Sequence, residues 1–534
     1  MKKILTFMWL AATALQGMAA DYTDRLTVDV NGNVAEQQAT ISVDQTANGD
    51  YTLTLKNFKL EMGGQTLNVG NIELKDVKGT TAGAVTTLRT SQTINITEGT
   101  EAGVPLWIGP SLGPVPVNMV AELRAPKAYA VIDIDMQATL GQTIRVVFGN
   151  GGYHIENGGF EDFHTATITD GSGKNTAKSD EPNHWHSFMS TSGDPSLRWL
   201  AGYNPHTFIS DVVRPGSTGK HSVKVTSTKI FIFVANGTIT TGRLNTGSMT
   251  AADNKNHSWL DLSSTDKDDH GDPFYLALNG RPDSLTVWVK FKQGTPQPKA
   301  PYATVNAVLT DGTYYQDPED KAYNNVVAKA TDNRIASKDF AWQRLSIPFD
   351  YDTYAANGVE PKALLITIST NAQPGKGSTD ELYVDDIALV YNARLSALSV
   401  KGKPVEGFDA ATLTYNLTAD GPLSATDIVA KADGRGATVD TQVEPVEGGV
   451  KALVTVTSND LLTATRYTLN ITGATTGINT ATTTGNQSSS AVEFYNLQGQ
   501  RVSSMQPGRV YIRKSGGKSV KVVKEIYLGD LFRS

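Results

Sequence analysis

Short runs in which apolar and polar residues alternate recur along the whole chain, and no long segment repeats with the 3.6-residue period of an α-helix. Valine, isoleucine, threonine, tyrosine and leucine fill these runs, and glycine, asparagine and aspartate separate them. Because successive side chains of a strand point to opposite faces, such alternation is typical of strands that bury one face. Residues 51–60, 68–77, 91–99 and 128–149 are examples. The sequence therefore predicts an all-β protein.

The chain is too long for a single core, because 534 residues at about 150 per domain give three or four domains. Residues 1–20 have the pattern of a secretory signal peptide, in which Lys2 and Lys3 precede a short apolar segment and a cleavage site of small residues. That segment is shorter than the roughly 20 residues that cross a bilayer, and no later segment is apolar enough. We expect an exported protein, extracellular or at the cell surface, and periplasmic if its C-terminal tail does not direct sorting.

Cysteine is absent from the sequence. This excludes disulfide bonds, thiol catalysis, thiolate metal sites and the lipid-modified cysteine of a bacterial lipoprotein. The stability of such an exported chain must come from large β cores, with metal as a further source. The net charge is −7 and no basic stripe runs through the body of the chain, which argues against nucleic-acid binding.

Residues 21–150 resemble the calycin-like domain of Bacteroidota secreted proteins. The resemblance is carried by YTDRLTVDVNG, INITEG, VPLWIGPSLGPVPVNM and TLGQTIRVVFGN. It implies a lipocalin-like barrel of about eight strands, a shape that can hold a small apolar ligand. Leu106, Trp107 and Ile108 are candidates either to line the mouth of such a barrel or to plug its core.

Residues 151–393 resemble the putative carbohydrate metabolism domain of the same bacteria, which implies a jelly-roll β-sandwich. The segments that carry the resemblance occur in order: GRLNTGSM, GDPFYLALNGRPDSLTVWVKFKQG, AVLTDG, WQRLSIPFDY and ISTNAQPGKGSTDELYVDDIALVY. All eight histidines and five of the seven tryptophans fall in this part of the chain. It is therefore the candidate functional domain.

Three further segments complete the predicted organisation. Residues 394–473, which open with ARLSALSVKG and close with RYTLNITG, resemble a small cadherin-like or immunoglobulin-like β-sandwich. Residues 474–490 form a linker rich in threonine, glycine, serine and asparagine, whose composition cannot support a core. Residues 491–534 contain YNLQGQ and PGRVYI, and they resemble the C-terminal sorting tail of the type IX export route, predicted as a β hairpin. The chain continues past the point where such tails end.

Strand alternation in residues 151–393 predicts a face that binds sugar. In residues 283–291, Trp288 and Lys290 alternate with apolar residues that we expect in the core. A pyranose ring packs its C–H face on an indole, and its hydroxyls bond to arginine, asparagine and lysine. The alternative is that the tryptophans plug the core or lie under a neighbouring domain. The predicted sugar-binding residues are Trp288, Trp342, Arg344, Asn306 and Lys290, with Trp185 at the rim.

A calcium site is predicted where the first and last strands of this domain, residues 153–163 and 381–391, come together. In the last strand, alternation places Asp385 on the same face as Ile387 and Leu389, so its carboxylate would face a core and need a partner. A hard cation is a suitable partner, and Glu161 would supply the opposing ligand. The pairing resembles the structural calcium site of carbohydrate-binding jelly rolls. The alternative is that Asp385 caps a loop and Glu161 is solvated.

Two other segments carry weaker metal patterns. His184 and His186 would share one face of a strand, a spacing that zinc uses, but no third ligand follows at a fixed spacing. Residues 266–271 begin like a calcium loop, yet Ala277 stands where the acidic twelfth residue belongs. We interpret the histidines as loop or surface residues and the acidic segment as a solvated loop.

The sequence gives no positive case for catalysis. It contains none of the nucleophile-elbow, zinc-protease, P-loop or dinucleotide-binding motifs. A glycosidase needs two carboxylates held about 5 Å or about 6.5–9.5 Å apart, and no motif singles out such a pair. The sequence favours an exported glycan-binding protein with structural calcium and no organic cofactor. The alternatives are a glycoside hydrolase acting through carboxylates of residues 151–393, and a structural or adhesive protein that binds another protein.

Overall fold

The computed structural model describes residues 19–101, 103, 105–230, 233–295, 301–371 and 379–476, and four short strands after residue 492. The chain divides into two compact units, Met1–Thr476 and Gly477–Ser534. Most of the predicted signal peptide and of the predicted linker lies outside the described residues. Within those residues, no helix has both the length and the apolar character needed to cross a membrane.

The first unit opens with eight antiparallel strands that close into a barrel. Closure is made by β1, which pairs with β2 on one side and with β8 on the other, where Leu26 lies opposite Phe148. The prediction of an all-β fold that begins with an eight-stranded barrel is confirmed. The barrel elements are β1 (Ala19–Val30), β2 (Asn33–Gln45), β3 (Tyr51–Met62), β4 (Gln65–Ala82), β5 (Val85–Asn95), α1 (Gly109–Leu112), β6 (Pro114–Arg124), β7 (Lys127–Met136), α2 (Gln137–Leu140) and β8 (Gln142–Phe148).

Apolar side chains fill the barrel interior, since Val77, Leu88 and Phe148 have no exposed surface and belong to one core cluster. Trp107 packs at one side of this core. Its Nε1 donates to the Val69 carbonyl at 2.8 Å, and its ring lies against α1 and β4, whereas Leu106 is 91% exposed. Trp107 is thus fixed against the backbone and does not line an open mouth.

The middle of the first unit contains a two-layered β-sandwich. Sheet 1 has the order β12-β13-β26-β20-β24, and sheet 2 has the order β16-β25-β21-β23 with β19 beside β25. The elements are β9 (Phe163–Thr169), β10 (Thr176–Pro182), a 3-10 turn (Phe188–Ser190), β11 (Ser192–Gly193), α3 (Pro195–Gly202), β12 (Thr207–Ser210), β13 (Ser222–Thr226), β14 (Thr228–Ile230), β15 (Phe233–Ala235), β16 (Thr238–Thr240), β17 (Arg243–Thr246), β18 (His257–Trp259), β19 (Leu276–Ala277), β20 (Ser284–Lys292), β21 (Ala303–Thr310), β22 (Gln316–Asp317), β23 (Val326–Ile335), β24 (Trp342–Pro348), a 3-10 turn (Ala355–Asn357), β25 (Ala363–Ser369) and β26 (Glu381–Val390).

The sandwich core lies between sheets 1 and 2. Leu285, Val287 and Val289 of β20 face Val305 and Ala307 of β21, and all are fully buried in one cluster. The outer face of sheet 2 is partly covered by a smaller sheet of order β11-β17-β18-β22. The strand β20 therefore buries one face, as the alternation of its apolar and polar residues predicts.

The prediction that residues 153–163 form the opening strand of this domain is wrong. Turns occupy most of this segment, and the strand β9 begins only at Phe163. Asn157 and Phe160 have positive φ angles of 48° and 53°, which a strand cannot contain, and they flank two consecutive glycines. The alternation of Tyr153 and Ile155 therefore did not reflect a strand.

Residues 394–476 form two further sheets, of order β28-β27-β30 and β29-β33-β32-β31. Their core includes Leu395, Leu398 and Tyr415. The Asp460 carbonyl, in a loop of this part, accepts a hydrogen bond from the Tyr129 hydroxyl of the barrel at 2.8 Å. The elements are β27 (Leu395–Val400), β28 (Lys403–Pro404), β29 (Thr414–Leu423), a 3-10 turn (Ala425–Asp427), β30 (Ile428–Ala432), β31 (Thr438–Val446), β32 (Gly449–Thr457) and β33 (Ala464–Thr476).

The second unit contains one small antiparallel sheet of order β35-β34-β36-β37. Two of its strands, β36 and β37, pair as a hairpin. The strands are β34 (Glu493–Tyr495), β35 (Arg501–Val502), β36 (Val510–Ser515) and β37 (Lys518–Val523).

Candidate functional site

Four of the predicted sugar-binding residues lie together on the outer face of sheet 1. In the register of β20 and β24, Trp288 pairs with Arg344 and Lys290 pairs with Trp342. Cross-strand partners share a face, and this face is opposite to the buried residues of the core. Arg344 is exposed and the other three are half-buried. Neither tryptophan is sealed inside the sandwich.

Two more aromatic residues join this surface, which we call the aromatic–basic face: Trp288, Lys290, Phe340, Trp342, Arg344 and Tyr383. The Tyr383 ring lies 5.8 Å from Phe340 and 6.5 Å from Trp342, both edge-on. The Lys290 ammonium is 4.4 Å from the centre of the Phe340 ring. Because cations already contact these rings, a neutral sugar would have to displace them.

A β-bulge changes the predicted orientation of Asp385. The register of β26 against β20 shifts between Thr286 and Trp288, where Asp386 has a positive φ of 42°. The extra residue places Asp385 opposite Trp288, on the outer face, while Ile387 stays in the core. The prediction that Asp385 faces the core together with Ile387 is therefore wrong.

The carboxylates of the predicted calcium site both contact the loop at residues 211–221. Asp385 Oδ2 accepts a hydrogen bond from the Arg214 amide at 2.8 Å. Glu161 accepts hydrogen bonds from the amides of Lys220 and His221, at 2.9–3.2 Å. Burial raises the pKa of Asp385 to about 6. These contacts are those of loop-capping carboxylates, which was the alternative to calcium, and the calcium site stays a prediction.

Trp185 does not lie at the rim of any sugar-binding face. It is fully buried, and its ring centre lies 5.1 Å from that of Phe160 within the sandwich core. The segment is polar in composition, but a turn after Pro182 directs the indole inward. Trp185 is therefore a core residue, and the prediction that it contacts sugar is wrong.

Asn306 lies on the other side of the sandwich from Trp288. It belongs to β21 of sheet 2, where its neighbours Val305 and Ala307 face the core, so its own side chain points outward. Its Nδ2 donates to Asp317 Oδ2 at 3.2 Å. The structure therefore separates Asn306 from the other predicted sugar-binding residues.

Asn306 lines a cleft of about 670 Å³ between the outer face of sheet 2 and the sheet formed by β11, β17, β18 and β22. We call it the polar cleft, and its lining includes His257, Ser258, Tyr302, Asn306, Asp317 and Arg334. Arg334 is exposed, and its guanidinium lies 5.8 Å from the centre of the Tyr302 ring. The volume of the polar cleft falls within the range of about 300–1,000 Å³ that is typical of small-molecule sites.

The wall of the polar cleft contains buried polar atoms that are unsatisfied, among them one each on Asn306 and Ser258. Asn306 Oδ1 and Ser258 Oγ have no hydrogen-bond partner among the residues that the structure describes. Leaving such groups unpaired costs about 1–3 kcal/mol each, so native proteins pair them with protein, water or ligand. The polar group that the cleft exposes most to an entering ligand, among the residues named above, is the guanidinium of Arg334.

Two ionisable groups of the polar cleft, His257 and Asp317, are both suited to hydrogen bonding with a ligand at neutral pH. Burial lowers the pKa of His257, whose Nδ1 donates to the Asn254 carbonyl at 2.9 Å and leaves Nε2 as an acceptor. Burial raises the pKa of Asp317, and the hydrogen bond from Asn306 opposes that rise. Asp317 is the single carboxylate among the described residues that line the cleft.

Sequence reasoning missed most of the polar cleft. Tyr302, Asp317 and Arg334 come from different strands and loops, and no local pattern connects them. His257 belongs to the concentration of histidines in this domain, which is the one sequence signal that pointed toward it.

Comparison with known proteins identifies the barrel. Residues 18–151 match the family described as calycin-like beta-barrel domain, which confirms the predicted resemblance of this part of the chain. No curated protein matches the sequence. The resemblances of residues 151–393, 394–473 and 491–534 stay predictions.

Fourteen chains of solved structures show a match to this chain. One is SGBP-B from a complex xyloglucan utilization locus in Bacteroides uniformis, with 12% identity and a TM-score of 0.17, over 70% of this chain and 99% of that one. Another is the Cry4Aa toxin of Bacillus thuringiensis, with 8% identity and a TM-score of 0.16, over 69% of this chain and 52% of that one. At these TM-scores neither likeness bears on function.

Proposed function

We propose that this protein binds a glycan through the polar cleft of its β-sandwich. One observation carries the proposal: a cleft of about 670 Å³ brings the side chains of Asn306, Asp317 and Arg334 together with the ring of Tyr302. A sugar hydroxyl both donates and accepts, so it can pair with an amide, a carboxylate and a guanidinium alike. The predicted secretory signal, residues 1–20, supports an exported protein that meets its glycan outside the cell.

The surrounding groups suit a polyol. His257 Nε2 and the Asp317 carboxylate are acceptors for sugar hydroxyls, and the exposed Arg334 guanidinium is a donor. The half-buried Tyr302 ring offers an apolar surface for the C–H face of a pyranose. A ligand that combines hydroxyls with an apolar face is therefore the best chemical match.

The test is a glycan array probed with the full chain, followed by titration of the best polysaccharide. We expect Arg334→Ala and Asn306→Ala each to weaken binding, and the double variant to weaken it about tenfold or more, because each removes hydrogen bonds to the ligand. Trp342→Ala, on the aromatic–basic face, is the matched control and should bind like the wild type. Melting curves check that each variant folds.

Three results would contradict the proposal. Loss of binding in Trp342→Ala but not in Arg334→Ala would move the sugar contact to the aromatic–basic face. Release of reducing sugar from a polysaccharide would favour a glycoside hydrolase. Failure to bind any glycan, together with capture of a defined protein partner, would favour the adhesive alternative.

A further inference from the structure

A cluster of buried histidines and carboxylates lies apart from both surfaces described above. Its members come from four segments: His164 in β9, Glu181 in β10, His186 just after the turn that follows β10, and Asp268 in the acidic loop. Register brings the first two together, because His164 and Glu181 are directly paired in the β9–β10 hairpin. His186 is held by backbone hydrogen bonds in both directions with Thr240. We call this set the histidine–carboxylate cluster.

The atoms of the cluster converge at a spacing that suits a metal ion. His164 Nε2 lies 3.7 Å from Glu181 Oε2 and 3.7 Å from Asp268 Oδ2, and these three atoms lie within 4.8 Å of one another. His186 Nδ1 approaches Asp268 Oδ2 at 3.4 Å. The side chains of Glu181, His186 and Asp268 are fully buried, and that of His164 is 10% exposed.

None of these four atoms has a hydrogen-bond partner among the described residues. The second ring nitrogen of each histidine shows which nitrogen carries the proton. His186 Nε2 lies 3.2 Å from the Pro273 carbonyl, and His164 Nδ1 lies 3.0 Å from Asn183 Oδ1. Since both partners are acceptors, those nitrogens carry the protons, and the lone pairs of the neutral imidazoles face the carboxylates. Lone pairs directed at one another repel unless a proton or a metal cation lies between them.

In Asp268 and Glu181, as in the two histidines, hydrogen bonds hold one polar atom and leave the other free to face the centre of the cluster. The second oxygen of Asp268 accepts hydrogen bonds from three backbone amides, those of residues 270–272, at 2.7–3.0 Å. The second oxygen of Glu181 accepts hydrogen bonds from the Ser187 amide and, at 3.0 Å, from the Ser190 hydroxyl. Ligands whose free atoms converge, and whose other atoms are fixed by such partners, are characteristic of metal sites.

We infer that His164, Glu181, His186 and Asp268 form a metal site that takes Zn²⁺. Two imidazoles with two carboxylates suit zinc, whereas calcium takes six to eight oxygen ligands. Tetrahedral zinc with ligands at about 2.0–2.2 Å separates its donor atoms by roughly 3.3–3.6 Å, which is close to the three nitrogen–oxygen distances of 3.4–3.7 Å given above. The core of the site is His164, Glu181 and Asp268, and His186, which approaches Asp268, completes it after a small movement toward the other two ligands.

The role of the site is structural. All four protein ligands are needed to fill a tetrahedral shell, and the burial of the cluster leaves no position for substrate. The hairpin of β9 and β10 forms its own two-stranded sheet. The metal therefore ties this hairpin to the loop of Asp268 and to the body of the sandwich.

Metal analysis of the full chain tests the inference. After incubation with Zn²⁺ and dialysis, we expect about one zinc per chain in the wild type, and less than about 0.2 in His164→Gln and in Asp268→Asn. His221→Gln is the matched control, because His221 is a partly exposed histidine of the same domain outside the cluster, and it should keep its zinc. A chelator should lower the melting temperature of the wild type, and zinc but not calcium should restore it.

Two results would overturn the inference. Wild-type protein that retains no zinc, with a melting temperature unaffected by the chelator and by zinc, would mean that protons alone satisfy the cluster. Restoration of the melting temperature by calcium with zinc inactive would assign a different cation. Substitution by Co²⁺ gives a second readout that does not depend on any variant, because the visible absorption of a tetrahedral site appears only if these ligands bind metal.

Discussion

Asp385 occupies an unfavourable environment for a charged carboxylate in the described structure. Its side chain is buried, one carboxylate oxygen accepts the Arg214 amide, and the other has no hydrogen-bond partner within the described ranges. Burial raises the pKa of this carboxyl to about 6, against 3.8 for an ordinary aspartate, and the neighbouring Asp386 charge adds to the rise. Folding is therefore opposed by Asp385 whenever it is ionised.

The sign of the pH dependence follows from that shift. The unfolded chain ionises Asp385 more readily than the folded one, so the penalty is absent below about pH 4, grows up to about pH 6 and is complete above it. In calcium-free buffer, we expect Asp385→Asn to be more stable than the wild type at pH 7.5 by roughly 1–3 kcal/mol, and by much less at pH 4. Urea unfolding of both chains at the two pH values measures the difference.

The exposed carboxylate of Asp211 provides the control for this prediction, since Asp211→Asn removes a charge that is not buried. An Asp385→Asn variant that is less stable than the wild type at pH 7.5 would contradict the argument. Calcium that raises the melting temperature of the wild type but not of Asp385→Asn would instead establish the predicted calcium site.

At the scale of elements, the sequence predicted those strands that bury only one face. In β20, Leu285, Val287 and Val289 point inward and Trp288 outward, because a single buried face imposes a period of two. The bulge at Asp386 could not be predicted, because one inserted residue reverses the faces without changing the composition.

The candidate sites were less predictable than the strands for a related reason. Alternation assigned Asn306 and Trp288 correctly to outer faces, but it does not say which of two sheets a strand joins. The zinc site shows the same limit. His186 and Asp268 lie in two separate segments that each carry a weak metal pattern, and only tertiary structure brings them within 3.4 Å.

Gly70 provides a test of how β4 of the barrel is built. Its φ is +104°, and an added Cβ would lie 2.3 Å from the Thr97 carbonyl oxygen and 2.8 Å from Trp107 Nε1. Gly70→Ala should therefore destabilise the barrel by roughly 2–4 kcal/mol, by strain and by displacing Trp107. Amide hydrogen exchange in β4 and β5 should accelerate about 30-fold or more.

Gly83→Ala is the matched control for Gly70→Ala. It also has a positive φ, of +60°, but its Cβ would meet open space, so only the backbone penalty of about 1 kcal/mol remains. Equal effects of the two substitutions would show that the contact of Gly70 with Trp107 and Thr97 does not matter.

At the scale of the whole first unit, tyrosines connect its parts. Tyr129 of the barrel, Tyr153 after the barrel and Tyr391 at the end of β26 form a buried row, with ring centres 5.5 Å and 6.1 Å apart. Their hydroxyls reach across the row: Tyr129 donates to the Asp460 carbonyl and Tyr391 to the Tyr153 carbonyl, at 2.8 Å and 2.7 Å. The barrel, the sandwich and residues 394–476 therefore share one buried junction.

This junction predicts that the barrel and the sandwich unfold together. The Tyr153 hydroxyl donates to Glu122 of the barrel at 2.7 Å, and its ring separates Tyr129 from Tyr391. Tyr153→Ala leaves a cavity there and should cost about 3–5 kcal/mol, while Tyr153→Phe keeps the ring and should cost about 1–2 kcal/mol. By calorimetry, we expect one main transition for the wild type and for Tyr153→Phe, and two separated transitions for Tyr153→Ala.

Tyr203→Ala is the control for this prediction. Tyr203 is a half-buried tyrosine outside the junction, so its substitution should leave the single transition intact. If the wild type already shows separate transitions for the barrel and the sandwich, the tyrosine row does not couple them, because cooperative unfolding requires that the contacts at the junction outweigh the independent stability of either part.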